Sequence, residues 1–242
     1  MTESLVGESA ARTPEDSADR PNRPAARILV VDDHDLARAG LISILDSISD
    51  IQVVGEASSA EEAIDATRRL APDLVLMDVR MPGKDGLAAA RTITSRFPGT
   101  RVIMISFWET SQYLLEAYQA GAIGYISKGA LRAEIVAEIE RVSRGESLVD
   151  TELARRVLER QSIGPADTVR ARLDALPPRL REVLALLAAG QTNREIAERL
   201  GSKSTTVKKQ VETIFRRLSV DNRTKAASIW IVAGLPPPDS IR

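Results

Sequence analysis

Three carboxylates, a hydroxyl and a lysine sit where a folded chain can do chemistry. Asp32 and Asp33 follow the apolar run Ile28–Val31, Asp78 follows Leu74–Met77, Ser106 follows Val102–Ile105, and Lys128 follows Ile123–Ile126. One acidic residue after an apolar run is an ordinary loop solubiliser; five polar residues converging on one rim are a site. Crowded carboxylates repel one another and call for a cation, and oxygen ligands that retain water suit Mg²⁺. A lysine beside them holds an anion that the metal also binds. The set therefore describes a phosphoryl-accepting pocket with one carboxylate as nucleophile. The absence of cysteine excludes disulfide frameworks, zinc-thiolate sites and thiol nucleophiles. His34 is the single histidine, which argues against multi-histidine metal sites and a Ser-His-Asp triad elsewhere in the chain.

Convergence requires a particular fold. The four runs above, with Ile51–Val54, are short, aliphatic and lack period-two polarity, so they read as buried strands. Between and after them lie helical stretches at roughly 35–48, 60–70, 86–97, 109–120 and 130–144; in the last, Leu131, Ile135, Ile139 and Val142 keep one face apolar. Strands alternating with helices imply a doubly wound α/β unit, a five-stranded parallel sheet covered on both faces. Its ligand crevice lies at the carboxyl ends of the strands, where the polar set falls.

The rest of the chain has a different texture. Residues 1–24 are polar and read as a disordered tail, 25–145 as the α/β domain, 146–173 as a linker with a helix at Thr151–Gln161, 174–235 as an all-α domain and 236–242 as a Pro-rich tail. Four helices are expected, at about 178–189, 193–200, 203–219 and 224–233. Charge divides the same way: residues 1–150 hold 16 basic and 24 acidic side chains, residues 170–235 hold 13 and 6. Thr192 with Glu195 forms a capping-box pattern, Gly201 permits a tight turn, and Val207, Val211, Ile214 and Leu218 turn one face of the next helix inward. Thr205, Lys208, Lys209, Glu212, Arg216 and Arg217 lie opposite. This is a helix-turn-helix pattern, and a basic one points to nucleic acid; a helical bundle with a basic solvent face fits the same spacing. The longest apolar run, Ala226–Leu235, is about half the ~20 residues that span a bilayer. No signal-peptide stretch opens the chain, so a cytoplasmic protein without membrane attachment is expected.

Residues 27–145 resemble a response-regulator receiver domain, through Val-Val-Asp32-Asp33-His34, Met-Asp78-Val-Arg-Met-Pro82-Gly83, Ile-Ser106 and Gly-Tyr125-Ile-Ser-Lys128. The resemblance implies a flavodoxin-like fold with Asp78 as phosphoacceptor. It also implies that Asp32, Asp33, Asp78 and the backbone carbonyl of Arg80 bind Mg²⁺, that Lys128 contacts the phosphoryl oxygens, and that Ser106 and Tyr125 form a switch pair. Arg80 and Trp108 fall at positions that govern access of water to the acyl phosphate in this family, and a bulky Trp108 is expected to slow hydrolysis. Phe107-Trp108 reads equally as an exposed aromatic patch for a partner.

Residues 176–235 resemble the LuxR-type helix-turn-helix of the NarL/FixJ class, through Arg-Glu182-Val-Leu-Ala-Leu-Leu, Asn193-Arg-Glu195-Ile-Ala-Glu-Arg-Leu200, Thr206-Val207-Lys208 and Asn222-Arg223-Thr224. Departures are Pro177-Pro178-Arg179-Leu180 in place of a Thr-Pro-x-Glu helix start, Ser202-Lys203 in the turn, Lys209-Gln210 for the more usual Asn-His, and Ser219 for a glycine. Ser202 or Ser204 is expected to cap the recognition helix. Candidate DNA contacts are Lys203, Thr205, Thr206, Lys208, Lys209 and Arg216. Together the resemblances imply a two-component response regulator, not an enzyme, phosphorylated by a sensor histidine kinase and controlling transcription as a phosphorylation-dependent homodimer on double-stranded DNA. Two rivals remain at this stage: C-terminal helices that bind a protein partner, and a phosphate sink that binds no promoter.

Overall fold

The computed structural model describes residues 25–81, 85–107, 111–143 and 166–235. The expected tails, the helix at Thr151–Gln161 and Trp108 lie outside the described residues. The aliphatic runs form β1 (Ala26–Val31), β2 (Ile51–Ala57), β3 (Leu74–Asp78), β4 (Arg101–Ser106) and β5 (Gly124–Ser127). All pair in parallel in the order β2-β1-β3-β4-β5. Chain order reverses beside β1, and the crevice created there is bounded by the carboxyl ends of β1 and β3.

Parallel neighbours need crossovers, supplied by α1 (Asp35–Leu45), α2 (Ala60–Leu70), α3 (Gly86–Arg96) and α4 (Ser111–Gln119), while α5 (Arg132–Ser143) follows β5. Alternate strand residues serve opposite faces. Leu29, Val31, Val75, Met77, Val102 and Met104 pack with α2, α3 and α4, whose Ala63, Ala66, Ala90 and Ala117 let the helices approach closely. Ile28, Val30, Leu74, Leu76, Ile103 and Ile105 pack with Leu41 and Leu45 of α1 and Ile135 and Ile139 of α5. Each such side chain, fully buried, contributes ~1.5–3 kcal/mol. Two dry faces leave the strand ends as the place for polar groups.

A further helix, α6 (Ala166–Asp174), precedes the four expected between 178 and 233, which form as α7 (Pro178–Ala188), α8 (Asn193–Arg199), α9 (Ser204–Leu218) and α10 (Arg223–Val232). The boundary at 174 drawn from the sequence cuts through α6. Its Val169 and Leu173 are buried in the core shared by α7 to α10, so this segment is part of the helical unit and not linker. Sparse apolar content hid it, because two inward residues suffice on so short a helix. Among the described residues no helix is long and apolar enough to cross a membrane.

The helix ends test the departures noted in the sequence. Thr192 and Glu195 make the capping box: Thr192 Oγ1 accepts from Glu195 N at 3.3 Å, and Thr192 N donates to Glu195 Oε2 at 2.6 Å. Pro177 precedes α7 with no side-chain cap, as its loss of the Thr-x-x-Glu pattern requires. The expected Ser cap of α9 is not formed. Lys203 takes the extended cap conformation and makes no cap bond, because Ser204 is already the first helical residue. At the other end Ser219 adopts the left-handed conformation, φ 58°, where a β-carbon crowds the backbone. Ser219→Gly is therefore expected to raise unfolding stability by about 1 kcal/mol, read from the urea midpoint at constant m-value. An unchanged or lower midpoint would show that the αL cap carries no strain.

Candidate functional site

At the carboxyl ends of β1, β3 and β5, a buried ammonium lies between two buried carboxylates. Lys128 Nζ is 2.7 Å from Asp32 Oδ2 and 2.9 Å from Asp78 Oδ2, with all three side chains no more than 9% exposed. Asp32 Oδ2 and Asp78 Oδ2 thus share one ammonium. Asp33 is half-buried beside them, and Asp32, Asp33, His34 and Asp78 each offer a ligand atom within 4.8 Å of one another. Three carboxylates against one ammonium leave an excess of negative charge. A hard divalent cation answers it, and the carboxylate oxygens are the ligands it prefers. His34 is turned outward, its Nδ1 3.0 Å from Asp33 Oδ1, and its backbone N–H donates to Asp32 Oδ1 at 2.9 Å. Its role is to orient the acidic pair.

Burial pushes the Asp78 carboxyl above the ordinary range, and Asp32 adds to that; Lys128 and the Arg80 backbone N–H oppose it. Burial also works against the Lys128 charge, but Asp32 and Asp78 outweigh it and hold the ammonium above its ordinary value. The pocket thus contains a charged lysine and a reluctant carboxylate.

Two supporting residues were not singled out in the sequence. Arg38 donates from Nη1 to the Asp32 carbonyl at 2.7 Å while bound to Asp35 and Glu56, which pins the β1–α1 turn. Its signal was an arginine three residues after Asp35 on the same helix. Gly86 begins α3 against the end of β3: a β-carbon there would lie 1.8 Å from the Asp78 carbonyl oxygen. Only glycine lets the start of α3 approach the end of β3 this closely, and Asp85 caps α3 through Ala88 N at 2.8 Å.

The remaining predicted residues surround this core. Ser106, buried, ends β4 one position beyond the partner of Asp78, and Lys128 N donates to its carbonyl at 2.8 Å. Tyr125 is half-buried on β5, opposite Met104. Arg80 is exposed and its Nη2 donates to the Tyr113 hydroxyl at 3.2 Å. Phe107 is 71% exposed with its ring centroid 5.6 Å from Lys128 Nζ. Leu36 and Leu131, 88% and 71% exposed, follow β1 and β5 on the same rim.

In the helical unit, Gly201 turns the chain (φ 57°) between α8 and α9. Val207, Val211, Ile214, Phe215 and Leu218 of α9 are buried. Lys203, Thr205, Thr206, Lys208, Lys209 and Arg216 are all exposed, as the sequence periodicity requires. Lys208 and Lys209 make no ion pair with any described residue, so their charge is available to a polyanion.

The Asp78 shift fixes a pH dependence. Its folded pKa lies above the unfolded value of ~3.9, so the folded state binds the extra proton and stability falls as pH rises through that window. Without divalent ions, Asp78→Asn is expected to be more stable than the parent at pH 7. That gain should vanish below ~3.9, where Asp78 is protonated in both states. Denaturation at the two pH values checks it; a destabilised variant at pH 7 would mean that Lys128 pairing outweighs burial.

Comparison with known proteins agrees with this geometry. Residues 28–140 match the response regulator receiver domain family, and residues 174–230 match the luxR family of bacterial regulatory proteins. The chain is 34% identical to the transcriptional regulatory protein LiaR of Bacillus subtilis, over 83% of this chain and 94% of that one. It is 32% identical to the DNA-binding transcriptional activator DevR/DosR of Mycobacterium tuberculosis, over 83% and 92%. A solved LuxR-family two-component response regulator from Aurantimonas sp. SI85-9A1 superposes with a TM-score of 0.50 at 34% identity, over 57% of this chain and 98% of that one. The chain belongs to the LuxR-type two-component response regulators, with a receiver domain followed by a helix-turn-helix domain.

Proposed function

We propose that Asp78 accepts a phosphoryl group in a Mg²⁺-dependent reaction and that this event controls dimerisation and sequence-specific DNA binding by the C-terminal unit. The observation that carries the reading is the Lys128 ammonium within 3 Å of both Asp32 and Asp78 at the topological switch of the sheet. An Asp78 carboxylate oxygen attacks phosphorus in line; the new O–P bond forms as the donor's bond to phosphorus breaks, and the leaving group takes that electron pair. Lys128 neutralises charge on the transferred oxygens from the position it already holds. Asp32, Asp33, Asp78 and the Arg80 carbonyl would hold Mg²⁺, which supplies further charge neutralisation. The Ser106 hydroxyl donates to a phosphoryl oxygen, and the half-buried Tyr125 ring turns into the space that serine leaves. This biases a two-state packing arrangement.

The apolar rim of Leu36, Phe107 and Leu131 suits a protein phosphodonor docking over the pocket, and a sensor histidine kinase is the donor class this family uses. On the helical unit, Lys203, Thr205, Thr206, Lys208, Lys209 and Arg216 are the DNA-contacting set, with α9 entering the major groove. Two such units on one duplex read two half-sites, which suits a homodimer.

Asp78→Ala is expected to abolish acyl-phosphate formation from a small-molecule phosphodonor with Mg²⁺ while retaining a cooperative thermal transition; continued labelling would refute the assignment of Asp78. Lys209→Ala is expected to lower the salt slope of duplex binding by about one unit, the signature of one lost phosphate contact. An unchanged slope would remove Lys209 from the backbone contacts.

A further inference from the structure

Among the cations on the outward face of α9 stands one carboxylate, Glu212. The receiver meets the helical unit along a seam with α10, where the Thr224 hydroxyl donates to the Gly121 carbonyl at 2.8 Å, and the outward face of α9 stays exposed in the intact chain. At about 100° per residue, Lys208, Glu212, Thr205, Arg216 and Lys209 follow one another around about 100° of the helix, clear of the buried stripe of Val207, Val211, Ile214 and Leu218. Glu212 therefore lies between Lys208 and Lys209 around the axis, one turn further along. Lys208 and Arg216 stand one turn to either side of it, at the spacing where charged side chains meet. Its carboxylate nonetheless makes no ion pair or hydrogen bond with any described residue, so it faces outward unpaired.

That placement is costly on DNA unless a base answers it. A duplex carries one negative charge per about 1.7 Å of its axis, so phosphates repel a carboxylate whatever the sequence. The cost is recovered only where a base edge donates to the carboxylate, which is an acceptor alone. In the major groove guanine presents the acceptors N7 and O6, and thymine presents O4. Adenine donates from N6 but places the N7 acceptor beside it. Cytosine donates from N4 with no competing acceptor, and is the base that a carboxylate fits. Lys208 and Lys209, on either side, offset part of the phosphate repulsion and let the carboxylate enter.

We propose that Glu212 is a specificity-determining residue, accepting a hydrogen bond from cytosine N4 at one position of each half-site and repelling duplexes that lack it. This assignment rests on the proposed entry of α9 into the major groove. It separates two tasks on one helix face. The cations hold phosphates on any sequence, whereas the carboxylate discriminates by making the wrong duplex repulsive.

The test selects duplexes from a pool randomised over the binding site, using full-length protein treated with phosphodonor and Mg²⁺. The parent is expected to enrich cytosine at one position of each half-site. Glu212→Ala should lose that preference, about tenfold in relative affinity, while the other positions keep theirs. Glu212→Gln, whose amide pairs with adenine N6 and N7, should move the preference to adenine. Both variants should bind a fixed non-specific duplex about threefold more tightly, because one like charge has gone. A glutamate that merely supports the helix would instead lower the thermal midpoint and weaken every duplex alike. Retention of the parent's selection by both variants, or a parent that enriches a base other than cytosine where they differ from it, overturns the assignment. The two claims fail separately. Lys208→Ala and Lys209→Ala without effect on duplex binding refute α9 as the reading helix; weakened binding in those variants, with selection unaltered in Glu212→Ala, refutes only the role of Glu212.

Discussion

One interaction organises the receiver: a lysine ammonium held between two buried carboxylates at the carboxyl edge of a parallel sheet. Neither partner is stable there alone. Asp78 resists ionisation because it is buried, and Lys128 retains its proton because Asp32 and Asp78 surround it. The surrounding structure keeps these charges close without letting them collapse into a satisfied network. Arg38 anchors the backbone of Asp32, and Gly86 lets α3 start hard against the Asp78 carbonyl. The result is a pocket with excess negative charge, an arrangement whose electrostatic balance changes most when a divalent cation or a phosphoryl group arrives.

The helical unit inverts this economy of charge. Its cations are outward and unpaired on α9, where they cost little and remain available, whereas Arg223, taken fully inside, is used against backbone carbonyls. The acidic pocket and the seam with α10 lie at opposite ends of β4, which runs from Arg101 at the seam to Ser106 at the pocket. Close-packed structure therefore runs unbroken along β4 from Ser106 at the pocket to Arg101 at the seam.

Much of this was legible in the sequence, for identifiable reasons. Strands buried on both faces announce themselves as unbroken aliphatic runs, so the five strands and the polar residues ending them were read in place. The capping box at Thr192 and the inward stripe of α9 are local patterns and were read equally well. What escaped was non-local or low in contrast. α6 carries only Val169 and Leu173 inward and passed for linker. The Ser cap expected for α9 failed because a cap is a backbone conformation, and Lys203, not a serine, adopts it. Gly86 was one glycine among many until its approach to the Asp78 carbonyl appeared. The seam between units could not be read at all: Arg101, Arg223 and Thr224 bond to backbone carbonyls, and a carbonyl acceptor leaves no trace in residue type.

The claim on which the account turns is that charge placed on Asp78 changes the grip of the distant helices on DNA. Its most direct test is the affinity of the intact chain for its own operator at fixed salt, with and without a small phosphodonor and Mg²⁺. The account predicts tighter binding by the phosphorylated chain, with the gain absent when Asp78 is alanine. Equal affinity in both states, with acyl phosphate verified on Asp78, would contradict it.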